Sequence, residues 1–163
     1  MVNIAATAAN TLRSSLTAAS GADIQLNTIA RSIGDVAPIP LSSIVAGNSP
    51  AELLELSQPI KYPTVNIYCE KLQNTLQEKF RTFSGLARMC VEIRHSQDKT
   101  QSVQQGLEIY ATAVCTLLDS SRGDWGSGLF YSGGYEVQFT PLKRGGRSFI
   151  QTAKIFLDLA VSI

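Results

Sequence analysis

Apolar residues along the first half of the chain recur at helical spacing and then change to alternation. Ile4, Ala8, Leu12 and Leu16 fall on one face of an alanine-rich segment over residues 3–19, which predicts an amphipathic helix ended by Ser20 and Gly21. Ile24, Leu26, Ile29 and Ile33 form a second, shorter helical stripe from Asp23, closed by Gly34. Residues 35–59 carry Pro38, Pro40, Gly47, Pro50 and Pro59, and this density of breakers predicts a surface wrap rather than a regular layer. Within it, Ser49, Pro50 and Glu52 supply a cap, a first-turn proline and a capping-box acid ahead of Leu53, Leu54 and Leu56, the signature of a two-turn helix.

Beyond Pro59 the period shortens to two. Val65, Ile67 and Cys69 alternate with Thr64, Asn66 and Tyr68, and Ala87, Met89, Val91 and Ile93 alternate with Arg88, Glu92 and Arg94, so two half-buried strands are expected over 62–69 and 86–95. The polar stretch between them, 70–84, is long for a tight hairpin and reads as a loop that extends outward. Val103, Leu107, Tyr110, Ala111, Val114 and Leu118 then mark a long amphipathic helix starting at Asp98 or Thr100 and ending at Ser120. A glycine-rich connection, 123–134, leads to a strand over 135–140 and, after a turn over 141–148, to a last strand in which Phe149, Ala153, Ile155, Leu157, Leu159 and Val161 share one side. The expected architecture is α+β, an antiparallel sheet of about four strands packed against the long helix and the N-terminal helix, as a single domain over 1–163.

Composition sets limits on what such a domain does. With 163 residues, 44% hydrophobic and 17% charged, one core is affordable and a second domain would be cramped. A formal net charge of +1 removes bulk electrostatic attraction to nucleic acid or anionic membrane. Cys69, Cys90 and Cys115 are odd in number and widely spaced, which fits free thiols in a reducing compartment better than a disulfide framework or a zinc site. No signal-like amino terminus and no apolar run long enough to span a bilayer is present, so a soluble, cytoplasmically made chain is expected, with no membrane partner.

Catalytic chemistry finds few footholds. His95 is the single histidine, at the end of a strand between Arg94 and Ser96, and reads as a surface residue rather than the base of a nucleophile. The glycines at 123, 126, 128, 133 and 134 lack the order of a phosphate loop and suit turn geometry. Asp119 and Asp124 read as helix-end and turn acids, and no His, Cys or Asp constellation has metal-ligand spacing, so neither a cofactor nor a metal is expected. Two features suit contact with a partner instead. Lys143, Arg144 and Arg147, with Gly145 and Gly146, form a basic hairpin that is either a solvated turn or a loop meeting an acidic patch on a neighbour. Trp125, with Phe130, Tyr131 and Tyr135, concentrates aromatics in an irregular segment, and its ring must fold back on the core or be covered by another surface.

The order of these elements carries a resemblance. An N-terminal helix, the strand Tyr62, Pro63, Thr64, Val65, Asn66, Ile67, Tyr68, the strand ending Val91, Glu92, Ile93, Arg94, the long helix, the segment Gly128, Leu129, Phe130, Tyr131, Gly134, Tyr135, Glu136, Val137, then Lys143, Arg144, Gly145, Gly146 and a long final strand together resemble tail-terminator proteins of tailed bacteriophages, over roughly residue 59 to the carboxyl terminus. The resemblance implies a small non-enzymatic α+β subunit that assembles as a hexameric ring in the virion, at the junction of tail and neck. It implies that the ring ends tail-tube growth, meets the tube protein and the head-tail connector, and leaves a channel through which DNA passes without sequence-specific binding. Two other assignments share the size and composition: a different phage neck, head-completion or contractile-injection ring protein, and, from another class, a small binding module of a cellular complex with its pocket at Trp125.

Overall fold

The computed structural model describes residues 3–47 and 60–163. Three helices and nine strands follow one another in these segments: α1 (Ile4–Thr17), β1 (Ala19–Ser20), β2 (Asp23–Ile24), α2 (Gln25–Ile33), β3 (Ile44–Ala46), β4 (Thr64–Asn74), β5 (Ser84–Gln97), α3 (Thr100–Ser120), β6 (Gly123–Gly126), β7 (Leu129–Phe139), β8 (Lys143–Gly145) and β9 (Ser148–Ser162). The short helix expected at Ser49, Pro50 and Glu52 lies outside the described residues.

The expected four-stranded α+β arrangement is overturned. The described residues are mostly sheet, 44% strand against 32% helix, and seven strands form one curled half-barrel rather than four strands packed on a long helix. The strand order is β3-β4-β5-β9-β7-β6, with β8 also paired to β9. It is not purely antiparallel either, because β3 runs parallel to β4, Ile44 opposite Val65 and Ala46 opposite Ile67. The three strands that periodicity does not reveal, at 44–46, 123–126 and 143–145, are each three or four residues long. Elements so short have no room for a period, and a ladder of hydrogen bonds to a long neighbour recruits residues with little strand preference of their own.

The central strands β5 and β9 carry that ladder. They pair without a break from Ser84 opposite Ser162 to Gln97 opposite Phe149. At about 3.3 Å per residue, fourteen or fifteen residues reach roughly 45–50 Å, long enough to bend into the half-barrel and to hold two further strands end to end on one side. β7 pairs with β9 up to Phe139 opposite Ala153, and β8 resumes with Lys143 opposite Ile150. Pro141, which has no N–H to give, sits in the gap between them. Thr140 is the last residue before it to bond, its N–H donating to the carbonyl of Thr152 at 2.9 Å.

The alternation expected for the strands holds where the core lies. Val65, Ile67, Ala87, Met89, Val91, Ile93, Ala153, Ile155, Leu157, Leu159 and Val161 are buried on the face toward the helices. α1 lies against β3 and β4, α3 against β5 and β9, and α2 against α3. Ile4, Ala8, Leu12 and Leu16 form the buried stripe of α1, and Val103, Leu107, Tyr110, Ala111, Val114 and Leu118 are buried along α3. The Asn3 side chain caps α1 by accepting from the Ala6 N–H at 3.2 Å. Gly34 ends α2 in an extended conformation, not a left-handed one; a Cβ there would lie 2.5 Å from Cδ1 of Ile109, so close helix packing selects the glycine.

Part of the proline-rich wrap is held firmly. Asn27, itself buried, accepts from the Ile39 N–H at 2.8 Å and donates to the Ile39 carbonyl at 2.9 Å, and the Tyr110 hydroxyl donates to the carbonyl of Ala37. These bonds fix residues 37–39 against α2 and α3 and bury Ile39, so the segment serves the core despite its composition.

Candidate functional site

The aromatic segment folds back on its own domain. Trp125, in β6, is half-buried against the core, donates from Nε1 to the Ser121 carbonyl at the end of α3 at 2.6 Å, and leans on Tyr131 with ring centroids 5.4 Å apart. Tyr131 is fully buried, and burial pushes its phenol up to about 12. Phe130, on the opposite face of β7, stays exposed. The structure therefore separates the three aromatics: two join the core and one looks outward. Gly128 makes the β6–β7 turn possible, since it has φ +76° and a Cβ would fall 2.2 Å from the Ser162 carbonyl oxygen.

Phe130 belongs to an apolar surface that single-strand patterns do not show. In the sheet register Leu86 and Phe130 flank Ala160 from either side, and all three are exposed on the face away from the helices. At the same end the β4–β5 connection presents Leu76 and Phe80, the latter completely exposed. Both hold left-handed backbone conformations, φ +47° and +67°, which are uncommon for such side chains. The connection is anchored, not loose. Thr82 N–H donates to the Ile163 carbonyl and Ile163 N–H returns a bond to Phe83, each at 2.8 Å, while the Ser162 hydroxyl donates to Glu78 at 2.8 Å. An anchored loop thus displays Leu and Phe to solvent.

At the other end of the sheet lies the basic hairpin. Lys143, Arg144 and Arg147 are exposed, and none has an ion pair among the described residues. Gly146 takes the turn with φ +65°. The hairpin's base is tied to the body by the Ser148 hydroxyl, 3.1 Å from Oδ1 of Asp98.

His95 departs most from expectation: it is not on the surface but 4% exposed. Its ring stands edge-on to Tyr110, centroids 5.4 Å apart, and packs on the backbone of Gly106 in α3. Burial holds its pKa below the ordinary value, and its Nδ1 has no hydrogen-bond partner. The ring lies in the wall of a cleft of about 630 Å³ between α3, the end of β5 and the segment after α2. Asp35 and Glu108 line that cleft and are exposed, with no ion pair among the described residues. No carboxylate orients the imidazole, and the neighbouring Tyr110 hydroxyl is committed to Ala37; the cleft has a mixed lining, with Ile33, Val36 and Ile109 beside the two carboxylates. Among the described residues no three His, Cys, Asp or Glu side chains stand close enough to hold a metal. The three thiols are free, and Cys90 is fully buried between its cross-strand neighbours Tyr68 and Phe156, burial raising its pKa to about 11.

Compared with known proteins, the chain matches no family model and no curated protein.

Proposed function

We propose that this protein is a structural subunit of a bacteriophage virion, a tail terminator that assembles as a sixfold ring, ends growth of the tail tube and offers the surface on which the tail joins the head. Its partners in this role are further copies of itself, the tube protein and the head-tail connector, with DNA passing through the central channel and no catalytic step. The sixfold order and the position in the virion come from the resemblance in the sequence.

The observation that best supports an assembly role is the apolar end of the sheet, where Phe80, Leu76, Leu86 and Phe130 are exposed around an anchored connection. Exposed aromatic and aliphatic side chains on a fixed scaffold gain most when another protein covers them. Ring subunits need two dissimilar contact patches, and the apolar end and the basic hairpin lie at opposite ends of β9.

The decisive experiment is genetic. Phages lacking the protein are expected to make overlong tails, or tails that do not join heads; tails of normal length attached to heads would reject the role.

A further inference from the structure

We infer that the basic hairpin of one copy docks into the His95 cleft of a second copy, with Lys143, Arg144 and Arg147 meeting Asp35 and Glu108. The inference deepens the ring reading and rests on it for the number of copies that close the assembly.

Three observations carry it. The first is charge complementarity: three exposed cations on one projecting turn and two exposed carboxylates lining one cleft, none with an ion pair within the described chain. Unsatisfied charges of opposite sign on separate surfaces of one molecule suit an intermolecular contact, because complementary potentials steer association and fix its register. The second is placement. β8 extends the β7 side of β9, whereas the cleft is built on β5, α3 and the segment after α2, on the other side of β9. By register both lie at the same end of β9, His95 opposite Gln151 and Lys143 opposite Ile150, so they are two dissimilar patches on either side of one strand, as a heterologous contact requires.

The third concerns the cleft itself. Its walls are pre-formed, because Asn27 clamps Ile39 and Tyr110 clamps Ala37. His95 is more than nine-tenths buried in that wall with Nδ1 unpaired, an uncompensated group that folded proteins rarely keep without a reason. Burial also keeps the imidazole neutral, so the wall adds no positive charge against an incoming Arg or Lys.

Sedimentation and native mass spectrometry of the full chain test the docking. Wild-type protein should associate as its concentration rises, and less at high salt. K143E/R144E/R147E and D35K/E108K should each weaken association tenfold or more while circular dichroism shows both still folded. Mixed together, the two variants pair the native hairpin with the native cleft and the acidic hairpin with the basic cleft, so the mixture should regain association with the two chains alternating. The chain carrying all five substitutions should regain association to within a few-fold of wild type. Wild-type-like association of either folded variant overturns the docking, as does failure of the five-substitution chain to recover. A wild-type chain that stays monomeric at the highest concentration overturns it too, and a small molecule retained by that monomer would reassign the cleft to a ligand. The ring reading fails separately: a wild-type dimer that the charge variants break keeps the docking and removes the ring, while a ring that neither variant disturbs keeps the ring and removes the docking.

Discussion

Replacing Gly106 with alanine sets two effects of similar size against each other. In the interior of a long helix such as α3, glycine costs about 1 kcal/mol relative to alanine, so propensity alone makes the change stabilising. The new methyl, however, would lie 2.7 Å from Nε2 and 2.9 Å from Cδ2 of His95. His95 is buried, with Tyr110 edge-on to its ring, so it cannot swing out into water without cost. Overpacking of this kind costs roughly 1–3 kcal/mol, and the balance should be a net loss of about 1 kcal/mol. With His95→Ala in place the obstruction is gone, and the same Gly106→Ala change should add about 1 kcal/mol. The two residues are therefore expected to show a coupling of about 2 kcal/mol, the range found for side chains in direct contact. Urea unfolding of the four proteins, followed by Trp125 fluorescence and circular dichroism together to check two-state behaviour, measures it. A urea dependence of about 2 kcal/mol per molar turns the coupling into a midpoint difference near 1 M. If Gly106→Ala raises the midpoint equally in both backgrounds, the His95 ring does not rest on Gly106, and the wall of the cleft is not as described.

The same histidine gives a pH dependence. Its folded pKa is lowered by burial while the unfolded value is about 6.5, so below pH 6.5 the unfolded chain takes a proton that the folded one refuses, and stability falls as pH drops toward the folded pKa, by up to about 1.4 kcal/mol per pH unit. Urea midpoints between pH 7.5 and 5 should show this slope in wild type and lose most of it in His95→Phe; equal slopes would refute the burial. Trp125→Phe keeps most of the ring but removes the donor to Ser121, and a loss of about 1 kcal/mol in thermal or urea unfolding is expected. Gly128→Ala should cost more, about 2 kcal/mol or above, because the turn needs φ +76° and the methyl meets the Ser162 backbone; an unchanged melting temperature would contradict the β6–β7 geometry. Phe80→Ser should leave stability within about 0.5 kcal/mol, since the ring touches solvent alone, yet impair tail assembly in complementation of a phage lacking the gene; full complementation would remove the apolar end as a contact.

What the linear order of residues determined is local. The stripes on α1 and α3 and the alternation in β5 and β9 name the buried faces correctly, because a helix or strand of ten or more residues must repeat its apolar positions with its own period to hide one side. Tertiary structure decided whatever depends on which segments meet. Ile44–Ala46, Gly123–Gly126 and Lys143–Gly145 are strands only because β4, β7 and β9 offer them hydrogen-bond partners, so a four-stranded layer became a seven-stranded half-barrel. Trp125 found its place through the Ser121 carbonyl and the Tyr131 ring, and Leu86 and Phe130 became neighbours of one alanine through a register that joins residues far apart in the chain. His95, flanked by Arg94 and Ser96, carries a polar neighbourhood in sequence yet is buried in space, because α3 lays Gly106 and Tyr110 over it. Periodicity records which side of a segment avoids water; it holds no record of the partner that covers that side, and the cleft beside His95 exists only through such a partner.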